Sequence, residues 1–473
     1  MRTETFIRRV HIPAPATEVF QWHARPGAFE RLTPPWESVE IIERRGGIEN
    51  GGRVVLRMGL GPLSRKWIAE HCDYEAGVQF RDVQISGPFA RWEHTHRVEA
   101  DGREGCILED RIEYALPGGS LGRVLGGAWT RQKLERLFTY RHAVTRQDVL
   151  AYDTQRNQLN YGGRPMKVLV SGASGLVGSA LIPFLTTGGH SVTRLVRKDG
   201  ASGGDGEVAW SPAAGTIDQA GLEGFDAVVH LAGENIAAGR WTPERKRRIR
   251  DSRVKGTRLL CEALTQCAQP PKVFVGASAI GYYGDRGDET LSEESGAGEG
   301  FLVEVCRDWE AATAGLTDAG IRTALLRIGI VLSPAGGALK KMLLPFQLGL
   351  GGVIGAGSQY MSCIALDDVI GVIQHAITND EVSGPINAVC PEAVTNQEYT
   401  RTLGTVLGRP TFFPVPAFAA RFAFGEMADT LLLASTRVEP RILLRTGYTF
   451  RYPQLENALR HVLGKEAGTG RPE

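Results

Sequence analysis

The stretch VLVSGASGLVGSALI, residues 168–182, decides the fold of the larger part of the chain. An apolar run leads into Gly172, Gly175 and Gly178, which are spaced G-x-x-G-x-x-G, and a second apolar run follows them. In this setting the first glycine permits a tight turn, the second a close backbone approach, and the third close packing of a helix on a sheet. The stretch therefore predicts a strand, a turn and a helix.

The same turn predicts a binding site for a dinucleotide. The unpaired amides and the positive dipole end of a helix N-terminus attract phosphate groups, and glycines let the amides near Leu176 and Val177 approach a pyrophosphate. The alternative is a glycine-rich turn with a structural role alone. We expect the binding residues of this loop to be Gly172, Ser174, Gly175, Leu176, Val177 and Gly178.

The end of the next strand predicts which dinucleotide binds. The segment HSVTRLVRKDG ends in Arg197 and Lys198, where an NAD enzyme of this fold often carries an acid for the ribose 2'-hydroxyl. An acid would repel a 2'-phosphate, whereas arginine offers it a charge-assisted pair of hydrogen bonds. The sequence therefore favours NADP over NAD, unless the two residues are only solvated charges after a strand.

The rest of this body alternates apolar strands with helices. Strand-like runs KVLVSGA, HSVTRLVRK, DAVVHLAG, KVFVGASA and IRTALLRIGIVLS are separated by helical patterns. This order is typical of an α/β fold with a doubly wound parallel sheet. We predict such a domain over residues 166–464, with a substrate region at about 335–464, where the pattern becomes glycine-rich, and a tail at 465–473.

A separate module precedes this body. Polar residues 151–165, with Gly162, Gly163 and Pro165, predict a linker after a domain at 1–150. Its sequence reads as short early helices, several strands between turns, and a long final helix with an apolar stripe, which together predict an α+β domain. A curved antiparallel sheet gripped by that helix encloses a cavity, so we expect a hydrophobic ligand. The stripe residues are Leu134, Leu137, Phe138 and Tyr140.

Two histidines of this module lie on one face of a strand. In RWEHTHRV the period of two places Trp92, His94 and His96 together. No third ligand stands at an informative spacing, so a cavity wall or a satisfied pair is favoured over a metal site, and we predict no metal. Asp110 and Glu113 fall on opposite faces of their strand, which argues against a pair of catalytic carboxylates.

Composition limits the function classes. Lys plus Arg number 54 and Asp plus Glu 53, so no basic field favours nucleic acid. The N-terminus lacks the apolar core of a signal peptide, and no window has about 18 uninterrupted apolar residues. We therefore expect a cytosolic chain with no membrane partner. Its seven cysteines include no C-x-x-C pair and are expected to be reduced. The oligomeric state is not predicted.

Several ordered motifs resemble a known family. SGASGLVG at 171–178, HLAGENIAAGRW at 230–241, ASAIGYYGD at 277–285 and LRIGIVLSP at 326–334 make the body similar to atypical, extended short-chain dehydrogenases/reductases, the NAD-dependent epimerase/dehydratase-like "epimerase family" proteins. Residues 3–148 resemble the START/polyketide-cyclase (SRPBCC, helix-grip) superfamily. The first resemblance implies a Rossmann fold, in which Leu231, Ala232 and Gly233 pass the adenine side of the cofactor and Ser278 stands near the nicotinamide.

The resemblance also exposes departures from the family pattern. Active members pair that serine with Tyr-x-x-x-Lys on the next helix, where this chain has Leu302 and Cys306. Tyr282 or Tyr283 would then have to donate the proton, or both tyrosines are packing residues. We expect Ser278 and Tyr282 to be the catalytic residues. Cys363 and Ala365 stand where the family carries Trp and His, which places the substrate side in doubt.

The predicted function is an NADP-dependent oxidoreductase or nucleotide-sugar epimerase-like enzyme with an unknown small-molecule substrate. One alternative is a non-catalytic NADPH-binding regulatory protein coupled to the ligand of the first module. In a further alternative, the first module carries the catalytic activity. A further open point is Arg327, which either reaches the cleft or forms a charge pair at the end of its strand.

Overall fold

The computed structural model describes residues 3–59, 64–102, 104–156, 163–198 and 204–465. The chain divides into two compact units. One comprises Met1–Thr154, Thr186–Gly188 and Leu463–Glu473, and the other Gln155–Leu185 and Gly189–Val462. The long helix of the first unit continues to Arg156, so residues 151–156 are helical where the sequence predicted a linker, and residues 157–162 lie outside the described part. No helix in the described part has an apolar stretch long enough to cross a membrane.

The first unit is built on one antiparallel sheet. Its seven strands are β1 (Glu4–Ile12), β2 (Val39–Arg45), β3 (Arg53–Met58), β4 (Arg65–Glu75), β5 (Gln79–Ser86), β6 (Arg91–Asp101) and β7 (Gly105–Ala115). They pair in the order β1-β7-β6-β5-β4-β3-β2. The sequence did not predict β2, because its residues are mostly exposed and charged and give no apolar alternation.

Among the described residues of this unit, three α-helices accompany the sheet: α1 (Ala16–Ala24), α2 (Ala28–Leu32) and α3 (Gly119–Arg156). The predicted stripe on α3 is confirmed, because Leu134 and Phe138 pack with Trp92, Ile112 and Tyr114 of the sheet. Burial of this face against the sheet is what stabilises a helix whose remaining surface is polar. The arrangement agrees with the predicted α+β helix-grip class.

The second unit contains a mainly parallel sheet, as predicted. Its strands and those of the small accessory pairs are β8 (Lys167–Ser171), β9 (Ser191–Arg197), β10 (Glu207–Ser211), β11 (Thr216–Ile217), β12 (Ala227–His230), β13 (Val273–Ala279), β14 (Thr290–Leu291), β15 (Arg322–Ile328), β16 (Ile330–Leu332), β17 (Tyr360–Met361), β18 (Cys363–Ala365), β19 (Gly384–Ala388), β20 (Val394–Thr395) and β21 (Arg437–Val438). The large sheet has the order β11-β10-β9-β8-β12-β13-β15-β19. The chain reverses direction across the sheet between β8 and β12, and ligands bind at such a switch point in doubly wound folds.

Helices cover the strands of this unit. They are α4 (Leu176–Thr187), α5 (Pro243–Thr265), α6 (Phe301–Ala311), α7 (Gly315–Asp318), α8 (Gly337–Gln347), α9 (Leu366–Thr378), α10 (Asn396–Leu407), α11 (Ala417–Phe424), α12 (Glu426–Ala428), α13 (Arg441–Arg445) and α14 (Leu455–Val462). Thr395 and Glu398 form a capping box at the start of α10, which satisfies backbone amides that the helix leaves unpaired.

Two parts of the sheet differ from the predicted pattern. The run IRTALLRIGIVLS, predicted as one strand, is divided into β15 and β16 at Gly329, where an added Cβ would lie 2.5 Å from the carbonyl oxygen of Ser362. The region after residue 335, predicted to serve only the substrate side, also returns β19 to the main sheet beside β15. This strand escaped prediction because its five residues, GPINA, begin with Gly-Pro and give no apolar periodicity.

Candidate functional site

The glycine turn lies between β8 and α4, as the sequence predicted. Gly172 adopts a positive φ of 69°, and a Cβ on it would lie 2.7 Å from the carbonyl carbon of Leu231. A Cβ on Gly178 would lie 2.3 Å from the carbonyl oxygen of Gly172. Only glycine fits at either position, so the turn folds tightly against both the neighbouring strand end and its own helix.

The turn has the form that a dinucleotide pyrophosphate requires. Ser174 and Gly175 are exposed, Leu176 and Val177 are half-buried, and α4 begins at Leu176. The amide of Gly175 donates to the carbonyl oxygen of Gly172 at 2.9 Å, which closes the turn. An exposed glycine loop that leads into a helix N-terminus presents free amides to an anion, so these residues fit the phosphate groups of the cofactor.

A buried serine and histidine fix the adjacent loop. Ser171 Oγ accepts hydrogen bonds from the amides of Leu231 at 3.0 Å and Ala232 at 3.3 Å. Its hydroxyl is then left to donate to His230 Nδ1 at 2.7 Å. Burial lowers the pKa of His230 to about 4, which keeps the ring neutral and able to accept. This network holds Leu231 and Ala232 beside the glycine turn.

Gly233 follows these residues at the exposed side of the loop. A Cβ there would meet the guanidinium carbon of Arg253 at 3.2 Å. Arg253 Nη1 donates to the carbonyl oxygens of Glu234 at 3.0 Å and Ile249 at 3.1 Å. The arginine therefore ties the loop after β12 to α5.

The two basic residues at the end of β9, Arg197 and Lys198, differ in their surroundings. Lys198 Nζ forms an ion pair with Glu207 at 2.7 Å. Arg197, the last residue of β9, is exposed, and its side chain makes no hydrogen bond or ion pair to another described residue. Arg197 is thus the side chain of the two that is free to meet an anion.

Ser278 is buried near the carboxyl end of β13, in a charged network. Its Oγ donates to Glu310 Oε1 at 2.6 Å. Glu310 also pairs in a bidentate manner with Arg327 of β15, through Nε at 2.9 Å and Nη2 at 2.8 Å. Only 3% of the Arg327 side chain and 13% of the Glu310 side chain are exposed, so the pair is well shielded from water. The open point about Arg327 is resolved as a charge pair that lies directly beside Ser278.

The two tyrosines after β13 occupy different environments. Tyr283 is fully buried, and its hydroxyl is within hydrogen-bonding distance of Arg327, Asn387 and the carbonyl oxygen of Ser292. Burial raises its pKa, although Arg327 opposes this effect. Tyr283 is therefore a packing residue that cannot easily release a proton.

Tyr282 is only half-buried, and its hydroxyl makes no hydrogen bond to a described residue. The guanidinium carbon of Arg327 lies 3.5 Å from the centroid of the Tyr282 ring. A cation over an aromatic face interacts favourably with the ring and restrains its orientation. Of the two tyrosines, Tyr282 has the hydroxyl that can reach a ligand.

The part of α6 that faces Gly281 is apolar. An added Cβ on Gly281 would lie 3.6 Å from Leu302 Cβ and 3.8 Å from Cys306 Sγ. Both side chains are buried, and burial raises the pKa of the Cys306 thiol to about 12. Cys363 and Ala365, the other two departures from the family pattern, are buried in β18.

The structure adds a third side chain to the histidine pair of the first unit. Asp82 of β5 lies directly across from His94 of β6, and its Oδ1 is 3.1 Å from His94 Nδ1. Asp82 could not be found from spacing along the chain, because strand register brings it to the histidine pair. Burial opposes charge on His94, but Asp82 and Asp110 outweigh it and raise the pKa to about 9. The prediction that Asp110 and Glu113 lie on opposite faces is confirmed, since Asp110 is buried and Glu113 pairs with Arg111 outside.

Glu310 is the site residue that sequence reasoning missed. It lies on α6, the helix on which Tyr-x-x-x-Lys was sought, and it turns towards Ser278 and Arg327. A carboxylate at the end of an amphipathic helix ordinarily indicates a solvated face, so its burial is not predictable from the helical period. The one available signal was Arg327, an arginine inside an apolar strand, which requires a buried partner.

Comparison with known proteins yields three matches to family models. The NAD dependent epimerase/dehydratase family matches residues 168–389, a polyketide cyclase / dehydrase and lipid transport family matches 12–138, and a domain of unknown function matches 415–462. The epimerase family protein Mb2239 of Mycobacterium bovis is 42% identical over 292 residues, which cover 62% of this chain and 96% of that protein.

Two solved structures are similar to the chain. The nucleoside-diphosphate sugar epimerase from Corynebacterium glutamicum aligns with a TM-score of 0.80 and 35% identity, over 98% of this chain and 90% of that one. Human epimerase family protein SDR39U1 (isoform 2), whose structure is with NADPH, aligns with a TM-score of 0.58 and 38% identity, over 63% of this chain and 99% of that one.

Proposed function

The chain belongs to the NAD-dependent epimerase/dehydratase family, and from this premise we propose that it is an NADP-dependent enzyme that oxidises and reduces a hydroxyl or carbonyl carbon of a small molecule. The proposal rests on one observation, which is that the glycine turn and Ser278 lie at the same edge of the sheet. The glycine turn follows β8, Ser278 lies near the end of β13, and only β12 separates these parallel strands. Both features therefore lie at the carboxyl edge of one sheet, about 10 Å apart by strand spacing.

Binding of the cofactor is assigned to the residues of the turn and the strand ends. The amides after Gly172 hold the pyrophosphate, while Leu231, Ala232 and Gly233 line the adenine side. The exposed and unpaired guanidinium of Arg197 binds the 2'-phosphate. The human relative, whose structure is with NADPH, supports the choice of NADP over NAD.

The catalytic step is assigned to Ser278 and Tyr282. When bound, the nicotinamide ring supplies a hydride donor or acceptor to the substrate carbon. The Ser278 hydroxyl turns its proton from Glu310 Oε1 to the reacting oxygen, and Tyr282 exchanges a proton with that oxygen. Arg327 lies against the Tyr282 ring and holds it in place through a cation–π contact. Glu310 is a positioning residue, because it orients both Ser278 and Arg327.

The substrate class that we propose to examine first is nucleoside-diphosphate sugars. The support is the name of the Corynebacterium glutamicum protein, which is 35% identical and aligns over most of both chains. The buried Cys363 and Ala365 give the substrate side a different lining from the family pattern, so the sugar itself is left open.

The first test measures cofactor binding. The full chain is titrated with NADPH and with NADH while nicotinamide fluorescence is followed, and Arg197→Ala is compared with Lys198→Ala. We expect Arg197→Ala to weaken NADPH binding by about 10- to 100-fold, the value of a charge-assisted hydrogen-bond pair, and to leave NADH unchanged. Lys198→Ala is the matched control, because Lys198 is already paired with Glu207. Equal binding of both nucleotides by the parent would contradict the choice of NADP.

The second test addresses the proton donor. Tyr282→Phe is expected to reduce turnover of an identified substrate by about 100-fold or more while NADPH affinity is retained. Tyr360→Phe is a matched control, because Tyr360 also lies under an arginine, Arg437, at 4.8 Å from the ring centroid. Full activity of Tyr282→Phe would remove Tyr282 from the mechanism.

A second candidate function is a non-catalytic NADPH-binding protein that regulates the ligand of the first unit. The observation that favours it is the apolar lining of Leu302 and Cys306 opposite Gly281, where the family pattern carries Tyr and Lys. Tight NADPH binding without oxidation or epimerisation of any nucleotide sugar would support this candidate over the enzyme.

A further inference from the structure

The first unit holds a cluster of histidines and carboxylates that the proposed dinucleotide chemistry does not use. Its members come from neighbouring strands and share one face of the sheet. Asp82 of β5 pairs in register with His94 of β6, and His96 of β6 pairs with Asp110 of β7. Hydrogen-bonded strands hold their side chains about 5 Å apart, so the sheet fixes these groups before any ligand arrives.

Three of these side chains direct one donor atom each towards a common point. Asp82 Oδ1 lies 3.1 Å from His94 Nδ1 and 3.7 Å from His96 Nε2. All three ligand atoms fall within 4.8 Å of one another. Ligand atoms about 2.1 Å from a tetrahedral metal ion are separated by about 3.4 Å, and the two measured separations lie on either side of that value.

The opposite nitrogens of the same histidines converge on a second carboxylate. His94 Nε2 forms a hydrogen bond with Asp110 Oδ1 at 2.8 Å, whereas His96 Nδ1 lies 2.7 Å from the same oxygen without hydrogen-bonding geometry. Histidines that bind a metal almost always donate their other N–H to such a carboxylate, which orients the ring and selects the tautomer. Asp110 is itself fixed by His142 of α3, whose Nε2 lies 2.5 Å from Asp110 Oδ2.

We propose that Asp82, His94 and His96 bind a divalent transition-metal ion, with Asp110 as the carboxylate that orients His94 and contacts His96. Imidazole suits zinc and iron, and two histidines with one carboxylate are a donor set found in zinc and non-haem iron sites with open positions.

The site has an opening on the Asp82 side. The Asp82 side chain is 18% exposed, whereas that of His94 is 3% exposed. Trp92 Nε1 donates to Asp82 Oδ2 at 3.3 Å, which leaves Oδ1 to face the histidines. With three protein ligands the ion keeps a coordination position for water or a small molecule, as catalytic rather than structural zinc sites do. The metal would therefore give the first unit a polar, reactive centre.

The experiment uses the full chain after dialysis against a chelator. Zn²⁺ is titrated in by calorimetry, and Co²⁺ is added to a second sample to record its visible d–d absorption. We expect one equivalent of Zn²⁺ to bind at this site, a Co²⁺ spectrum typical of four or five nitrogen and oxygen ligands, and displacement of Co²⁺ by Zn²⁺.

Variants locate the ion. His94→Gln, His96→Gln and Asp82→Asn should each abolish the uptake, whereas Asp110→Asn should weaken it by about 10- to 100-fold. Glu113→Gln on the outer face of β7 is the control and should bind normally. Retained circular dichroism shows that each variant is folded, and an unchanged NADPH titration shows that the other unit is intact.

Either of two outcomes would overturn the proposal. One is the absence of both Zn²⁺ heat and Co²⁺ absorption in the parent chain, which would mean that His94 only bridges the two carboxylates through hydrogen bonds. The other is uptake that persists in His94→Gln and His96→Gln, which would place the ion elsewhere. The parent measurements do not depend on the folding of any variant.

Discussion

Replacement of Gly178 by alanine tests the geometry of the glycine turn. The added Cβ would lie 2.3 Å from the carbonyl oxygen of Gly172 and 2.9 Å from the Cα of Ala173. Both neighbours are backbone atoms, so the start of α4 must move by about 1 Å to restore ordinary contact. Overpacking of this kind costs about 1–3 kcal/mol, against a gain of up to about 1 kcal/mol from the better helix propensity of alanine.

We therefore expect Gly178→Ala to lower the free energy of unfolding of the second unit by about 1–2 kcal/mol and to weaken NADPH binding, because the helix N-terminus shifts away from the phosphates. The assay is hydrogen–deuterium exchange in increasing urea, since peptides from residues 168–185 report this unit separately from the first one. NADPH fluorescence is measured on the same samples.

Gly256→Ala is the matched control. Gly256 is also a buried helical glycine, in α5, but its added Cβ would meet Trp210 at 3.4 Å, an ordinary contact with a side chain. This variant should be as stable as the parent or more stable by up to about 1 kcal/mol, with normal NADPH binding. If Gly178→Ala were as stable as Gly256→Ala, the close approach at the turn would not be what requires glycine.

Three further predictions follow from buried polar groups. Between pH 6.5 and about 4 the unfolded chain protonates His230 while the folded chain does not. Acidification over this window should therefore lower the free energy of unfolding, measured by urea unfolding, by up to about 3 kcal/mol. His230→Asn should remove that part of the pH dependence. Arg31→Met leaves the fully buried carboxylate of Asp148 without its bidentate partner, which should destabilise the first unit by about 3–5 kcal/mol in thermal or urea unfolding; a change below 1 kcal/mol would contradict this. Glu310→Gln removes the counter-charge of Arg327 and should destabilise the second unit by about 3 kcal/mol in the exchange assay, whereas a variant as stable as the parent would show that the pair is not needed.

Local patterns in the sequence predicted the parts of the structure that local forces decide. The glycine triplet predicted the turn after β8 because each glycine closely approaches either a residue within seven positions along the chain or the end of the adjoining strand. The alternation in β6 placed His94 and His96 on one face because the period of a strand is a local property. The capping box of α10 is local in the same sense, because Thr395 and Glu398 are three residues apart.

Pairings between distant segments were not predictable in this way. Asp82 meets His94 because β5 and β6 align in one register out of several, and Glu310 meets Arg327 because α6 packs across β15. Both contacts depend on the assembled sheet, and Asp82 and Glu310 look like ordinary surface charges in the sequence. The sequence thus predicted the fold around the site but did not predict the charged network within it.

The position of β19 has a consequence for synthesis on the ribosome. β15 ends at Ile328, and β19, which pairs along its outer edge, begins at Gly384, so about 55 residues separate the two. At about 5–20 residues per second the nascent chain carries β15 for about 3–11 s before its partner strand exists. During that interval the edge of β15 displays unpaired backbone groups that can pair with another chain. Chaperone binding to nascent chains of this protein should therefore peak between these two strands and fall once β19 has emerged.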